Sequence, residues 1–168
     1  EYAAEKDCDL FVSLHTNGNS EFANGYELNM QPIALNKPLI LVNALAISSE
    51  EVIRLSNSIG TNLSKVNYEL GISEVEEFVS VEPNNIEEWT MEKNEALNMP
   101  GTVYCRWGSK GDFYGVLRGA ANVNKPGILI EHGFHTIPEV RKEAMQGDLK
   151  MRWAQVDAYG IAYGYGFV

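Results

Sequence analysis

The sequence predicts an α/β fold, and three segments carry that expectation. Asp9-Leu-Phe-Val-Ser-Leu-His15 and Gly127-Ile-Leu-Ile-Glu131 are apolar runs too short for typical helices. Bounded by turn residues, such runs read as strands buried on both faces of a sheet. Residues 49–66 instead repeat apolar side chains every three or four positions, the pattern of a helix lying on that sheet.

The elements follow in order. Glu1-Tyr-Ala-Ala-Glu-Lys6 reads as the tail of a helix leading into the first strand. Thr16-Asn17-Gly18-Asn19 closes that strand, Ser20 to Asn24 reads as a polar turn, and Gly25 to Met30 as a second strand. Pro32 and Pro38 break up residues 31–47, which read as a loop with a short helix or strand. Ser48 or Ser49 caps the main helix, with Glu50 and Glu51 in its first turn and Lys65 in its last. Val52, Leu55, Ile59, Leu63 and Val66 form its apolar stripe.

Residues 67–102 are irregular and acidic, yet Trp89, Met91, Leu97 and Met99 predict that this stretch packs against the domain. Thr102 to Trp107 reads as a strand, Gly108 to Gly111 as a turn, and Tyr114 to Leu117 as another short strand. After a loop at Asn122 to Lys125, Pro126 introduces the buried strand 127–131. Pro138 suits the first turn of a short helix through Met145. Asp148 caps a last helix with Leu149, Trp153, Val156 and Ile161 facing inward, and the glycines from Gly160 to Gly166 weaken its final turns.

A chain of 168 residues fits one domain with a genuine core, and 45% apolar and 21% charged residues are ordinary for a globular protein. No apolar run reaches the length of a membrane span, and the first residues lack the blocks of a signal peptide. A net charge of −10 excludes nucleic acid as the expected partner, because a phosphate backbone calls for clustered Lys and Arg. Nine glutamates against one lysine between Glu69 and Glu95 read as a solvated face or insertion rather than a cation site. Cys8 and Cys105 make no CxxC and are compatible with buried thiols or with one disulfide.

His15 stands where a buried strand meets a polar loop, a place that fixes the direction of an imidazole. Glu131 follows three apolar residues, so lost hydration would raise its pKa and make it a general base. Capping a helix or pairing with Arg118 is the structural alternative. Gly133 would let the chain turn sharply or a substrate approach, and Phe134 would pack under the site or line it. Alternation puts His132 on the face opposite Glu131, in a structural role. His135 lies beyond Gly133, either near the site as a substrate contact or on the ordinary surface. Imidazole and carboxylate delivered to one sheet edge point to metal-assisted hydrolysis, although zinc normally takes three protein ligands and only His15 is a firm one.

Phe11-Val-Ser-Leu-His15-Thr-Asn17, Gly25-Tyr-Glu27, Gly115-Val-Leu-Arg118 and Pro126-Gly-Ile-Leu-Ile-Glu131-His-Gly-Phe134 resemble, in that order, the zinc-dependent N-acetylmuramoyl-L-alanine amidases of bacterial cell walls. The resemblance runs from residue 3 to the last helix and is loose over 31–100. It implies a twisted, mostly parallel sheet flanked by helices on both faces. It also implies hydrolysis of the amide between the muramic acid lactyl group and L-alanine of the peptidoglycan stem peptide, at an extracellular or wall-associated site. By the same resemblance His15 binds zinc and Glu131 is the catalytic acid/base; Asn17 and His135, from their place at the two strand ends, are the candidate substrate contacts.

The family's first strand, ending in His-Gly, and a later glutamate supply its other two zinc ligands. Neither is found here. The expectation is therefore a carboxyl-terminal piece of one catalytic domain, 1–168, completed by an amino-terminal chain or segment. The stretch 31–100 is longer than the family's and reads as an insertion, a lid or one wall of the peptide groove. Two other functions remain open: a wall-binding or regulatory domain without a full metal site, and a zinc peptidase cutting within the stem peptide.

Overall fold

The computed structural model describes residues 5–18, 20–23, 26–30, 36–89 and 99–168. Its central sheet contains β1 (Phe11–Asn17), β4 (Leu39–Val42), β5 (Phe78–Val79), β6 (Gly101–Cys105) and β9 (Gly127–Phe134), in the spatial order β1-β9-β4-β6-β5. β1 runs parallel to β9, and β4 and β5 run parallel to β6; only the central β4–β9 pair is antiparallel. Two hairpins lie outside it: β2 (Ser20–Ala23) with β3 (Tyr26–Met30), and β7 (Trp107–Gly108) with β8 (Gly111–Asp112).

Helices cover both faces. On one, Ile40, Val42, Val103, Ile128 and Ile130 meet Val52, Leu55, Ile59 and Leu63 of α1 (Glu50–Glu69), together with Leu149 and Trp153 of α4 (Leu149–Gly164). On the other, Leu41 and Leu129 pack under Leu117 of α2 (Gly115–Asn122), with Trp89, Tyr104 and Tyr114 beside them. The short α3 (Pro138–Gln146) starts on its proline, as expected, and buries Val140. Among the described residues no helix is long and apolar enough to cross a membrane.

Ser49 is the cap that α1 uses: its hydroxyl accepts from the Val52 N–H at 3.3 Å. Ser49→Ala is expected to lower unfolding free energy by about 1 kcal/mol, read as an earlier urea midpoint with unchanged slope. Lys65 lies one turn before the helix end and pairs with Glu69 at 4.0 Å.

Several expectations are corrected. β1 is an edge strand rather than one buried on both faces: among the described residues it pairs only with β9, and Leu14 is 62% exposed. The turn expected from Ser20 is β2, while Asn24 and Gly25 lie outside the described residues. The short strand expected at Tyr114 to Leu117 is the first half of α2, because Leu117 and Ala120, three apart, bury one helical face against the sheet. Met99 is 58% exposed rather than packed; Met91 and Leu97 lie outside the described residues.

The glycines of α4 are contact points rather than weak turns. A Cβ on Gly160 would lie 2.3 Å from Ile59 Cγ1, and one on Gly164 2.4 Å from Leu55 Cβ. Within 31–100, β4 sits in the middle of the sheet and α1 covers it. Phe78 of β5 presses on Gly60, where a Cβ would lie 2.1 Å from the ring. Those parts belong to the core. Both cysteines are free thiols, and burial pushes that of Cys105 up to about 11.

Candidate functional site

The sheet ladder itself brings His15 and Glu131 together. They are register partners on parallel neighbours β1 and β9, and Leu39 of β4 flanks Glu131 on the other side. Directly opposed residues on neighbouring strands stand about 5 Å apart, and here His15 Nδ1 lies 3.1 Å from Glu131 Oε2. The two side chains differ in surroundings: His15 is 60% exposed, Glu131 only 7%. Burial pushes the Glu131 carboxyl above the usual carboxylate range, against the pull of His15 and, more weakly, of His132 and His135. When Glu131 is ionised, His15 Nδ1–H donates to it and Nε2 keeps its lone pair on the open side of the ring.

Beyond this pair the ladder skips. Asn17 stands opposite Phe134, so three steps along β9 match two along β1. The skip turns His135 back toward β1, where its N–H donates to the Asn17 carbonyl at 2.9 Å and its Nδ1 lies 3.2 Å from Thr16 Oγ1. His135 therefore stands at the same strand end as His15. The Asn17 side chain is engaged locally: its Oδ1 accepts from the Gly18 N–H at 2.8 Å.

Arg118 does not pair with Glu131; its Nη1 donates to the carbonyls of Asp112 and Phe113 at 2.7 and 3.2 Å. Phe134 is buried beneath the site, its N–H donating to Asn36 Oδ1 at 2.9 Å. The same Asn36 oxygen explains Gly133, where a Cβ would come within 2.9 Å of it. His132 is buried and faces α4: its Nδ1 donates to the His15 carbonyl at 2.8 Å, and its Nε2 lies 2.9 Å from Asp157 Oδ2.

Asp157 went unnoticed in the sequence although it carried a signal. It lies four residues after Trp153 and eight after Leu149, in the inward stripe of α4, where a carboxylate needs a partner.

A groove of about 460 Å³ runs beside His15, lined by Leu14, His135, Met145 and Trp153, with Arg141 and Lys150 as its charged residues. A larger one, about 780 Å³, lies along α1 and α4 near Asn57, Tyr159 and Tyr163 and includes neither His15 nor Glu131.

Among the described residues no group of three or more His, Cys, Asp or Glu side chains is placed to hold a metal ion. Zinc sites with an open position normally draw on three protein ligands. One imidazole and one adjacent carboxylate do not amount to that set, so the described residues alone do not fit a zinc site.

Neither a protein-family model nor a curated protein matches the sequence. Among solved structures the chain is similar to Cwp6 from Clostridium difficile, with a TM-score of 0.52 and 17% identity. The match covers 95% of this chain and 18% of that one, so the chain spans less than a fifth of Cwp6. At that identity the likeness is one of fold: an α/β sheet with helices on both faces, shared across nearly all of this chain.

Proposed function

We propose that this chain is the catalytic part of a peptidoglycan amidase that hydrolyses the amide between the muramic acid lactyl group and L-alanine. The observation that carries the reading is the 3.1 Å contact of His15 with a nearly buried Glu131 at the ends of two parallel strands. The order of the sequence motifs around both residues supports it, and the fold shared with Cwp6 is the α/β sheet that the reading requires. The substrate implies work outside the cytoplasm, at the wall.

In this reading Glu131 is the general base and then the general acid. A carboxyl held above its usual range takes a proton from the attacking water and returns it to the nitrogen leaving the scissile C–N bond. The products are a lactyl carboxylate and a free L-alanine amine. His15 fixes the carboxylate's direction through Nδ1–H and keeps Nε2 open. His135 and Asn17, at the same strand end, are the substrate contacts of this proposal. Zinc is proposed only through His15 Nε2 as one ligand; the remaining ligands would come from outside the described residues.

Mass analysis of digested wall fragments tests the reaction. New lactyl carboxyls with matching L-alanine amino termini are expected; cleavage inside the stem peptide would replace this reading with a peptidase. Metal content of the full-length protein is expected to be about one zinc per molecule. Retained binding to sacculi with neither zinc nor new termini would make the domain a wall-binding module.

A further inference from the structure

On the side of β9 away from Glu131, a buried polar cluster interrupts an otherwise apolar core. His132 bridges the His15 carbonyl, at 2.8 Å, and Asp157 of α4, at 2.9 Å. Its ring lies 5.0 Å from that of Trp153 at 31°. Trp153 Nε1–H donates to Asn67 Oδ1 at 3.0 Å, and Asn67 Nδ2–H donates to the His132 carbonyl at 2.9 Å. Residue 132 is thus gripped through its backbone by α1 and through its side chain by α4.

Such a cluster is a poor way to gain stability. Asp157 is 6% exposed and its Oδ1 has no hydrogen-bond partner among the described residues, a state that apolar residues of similar volume would avoid. What the cluster does provide is location. Among the described residues β1 pairs only with β9, its ladder skips immediately after His15, and the His132 imidazole donates to the His15 carbonyl at that skip. A residue on a single-sided strand beside a bulge has few other constraints.

We infer that His132 and Asp157 are positioning residues: together they fix the backbone of His15, and so the approach of its imidazole to Glu131. This rests on the His15–Glu131 pair being the reactive pair, but its test does not depend on the reaction being amide hydrolysis.

Three variants separate the roles. His132→Phe keeps the ring against Trp153 and removes both hydrogen bonds. His132→Asn retains a donor for the His15 carbonyl, and Asp157→Asn keeps the volume of the α4 partner. Long-range ¹H–¹⁵N spectra of the histidine side chains report the His15 tautomer with no substrate present. The wild-type protein is expected to hold His15 as the Nδ1–H form, His132→Phe to shift it toward the mixture of free histidine, and His132→Asn to restore it. Turnover of soluble wall fragments should fall about ten-fold in His132→Phe, in kcat rather than KM, and recover in part in His132→Asn.

An unchanged His15 tautomer in folded His132→Phe, or no recovery in His132→Asn, would overturn the inference. Should His132→Phe fail to fold, Asp157→Asn gives the same spectroscopic reading: a weakened Nδ1–H preference is expected, and a wild-type spectrum contradicts it. A tautomer shift without any wall hydrolysis in the wild type would leave the positioning role standing and remove the amidase reading.

Discussion

Glu131→Gln is expected to cut turnover of peptidoglycan fragments by about a thousand-fold while making the folded protein more stable at neutral pH. Glutamine keeps the shape and a hydrogen-bond acceptor for His15, but neither takes a proton from water nor returns one to the leaving amine. The stability gain follows from burial. Because burial raises the folded-state pKa of Glu131 above its unfolded value, this group's stabilising contribution is complete below the unfolded pKa. It is lost as pH rises through the folded pKa. Where the buried carboxylate is ionised it is a burden that the amide removes, so the gain grows with pH through the raised folded-state pKa. Urea unfolding at pH 7 and pH 4 checks it: the advantage should shrink at pH 4, where the wild-type carboxyl is protonated. An inactive variant that is less stable at both values would mean that Glu131 is a structural residue.

The second large effect lies in the helix pair behind the sheet. Introducing alanine at both Gly160 and Gly164 is expected to lower stability by about 3 kcal/mol, with a fall in Tm of roughly 10 °C. Intrinsic propensity argues the other way, since Ala favours a helix over Gly by about 1 kcal/mol per residue. Contact decides. The new Cβ atoms would come within 2.3 Å of Ile59 and 2.4 Å of Leu55, both fully buried, and the Glu51 carbonyl stands 3.0 Å from the one at Gly164. The helices would have to separate, opening the core around Leu55, Ile59 and Trp153. A thermal melt within a degree of wild type would show that α4 docks less closely than described.

These glycines illustrate what a sequence reveals and what it hides. Residue by residue, Gly160 to Gly166 announces a weak helix end; only the neighbouring helix turns two of those glycines into a close crossing. The main helix was legible because periodicity, the Ser49 cap and the first-turn glutamates all agreed. The strand at 127–131 was legible because a continuous apolar run has few other solutions; it extends to Phe134 and is buried throughout. The 11–17 strand shares that composition, yet it ends on the sheet edge with Leu14 exposed. Composition gives a strand's type; its neighbours are a matter of topology. Tyr114 to Leu117 reads as a strand for the opposite reason, being short enough to suit either period until Ala120 completes the buried face of a helix.

Within the site, the His15–Glu131 pair follows from two strand ends and needed only parallel adjacency. His132 was placed correctly on the opposite face by alternation alone. Asp157 and Asn67 were missed because each reaches the pair through β9 from a helix whose docking angle no local pattern specifies. Their meaning is tertiary.

The central claim is that His15 and Glu131 act as one unit, and a double-mutant cycle on turnover measures it most directly. His15→Ala, Glu131→Gln and the double variant would be compared on the same purified wall fragments. If the two form one reactive pair, the double variant loses no more than about three-fold beyond Glu131→Gln alone. Losses that multiply in full would mean that the two residues act independently, and the contact at 3.1 Å would then be an accident of the fold.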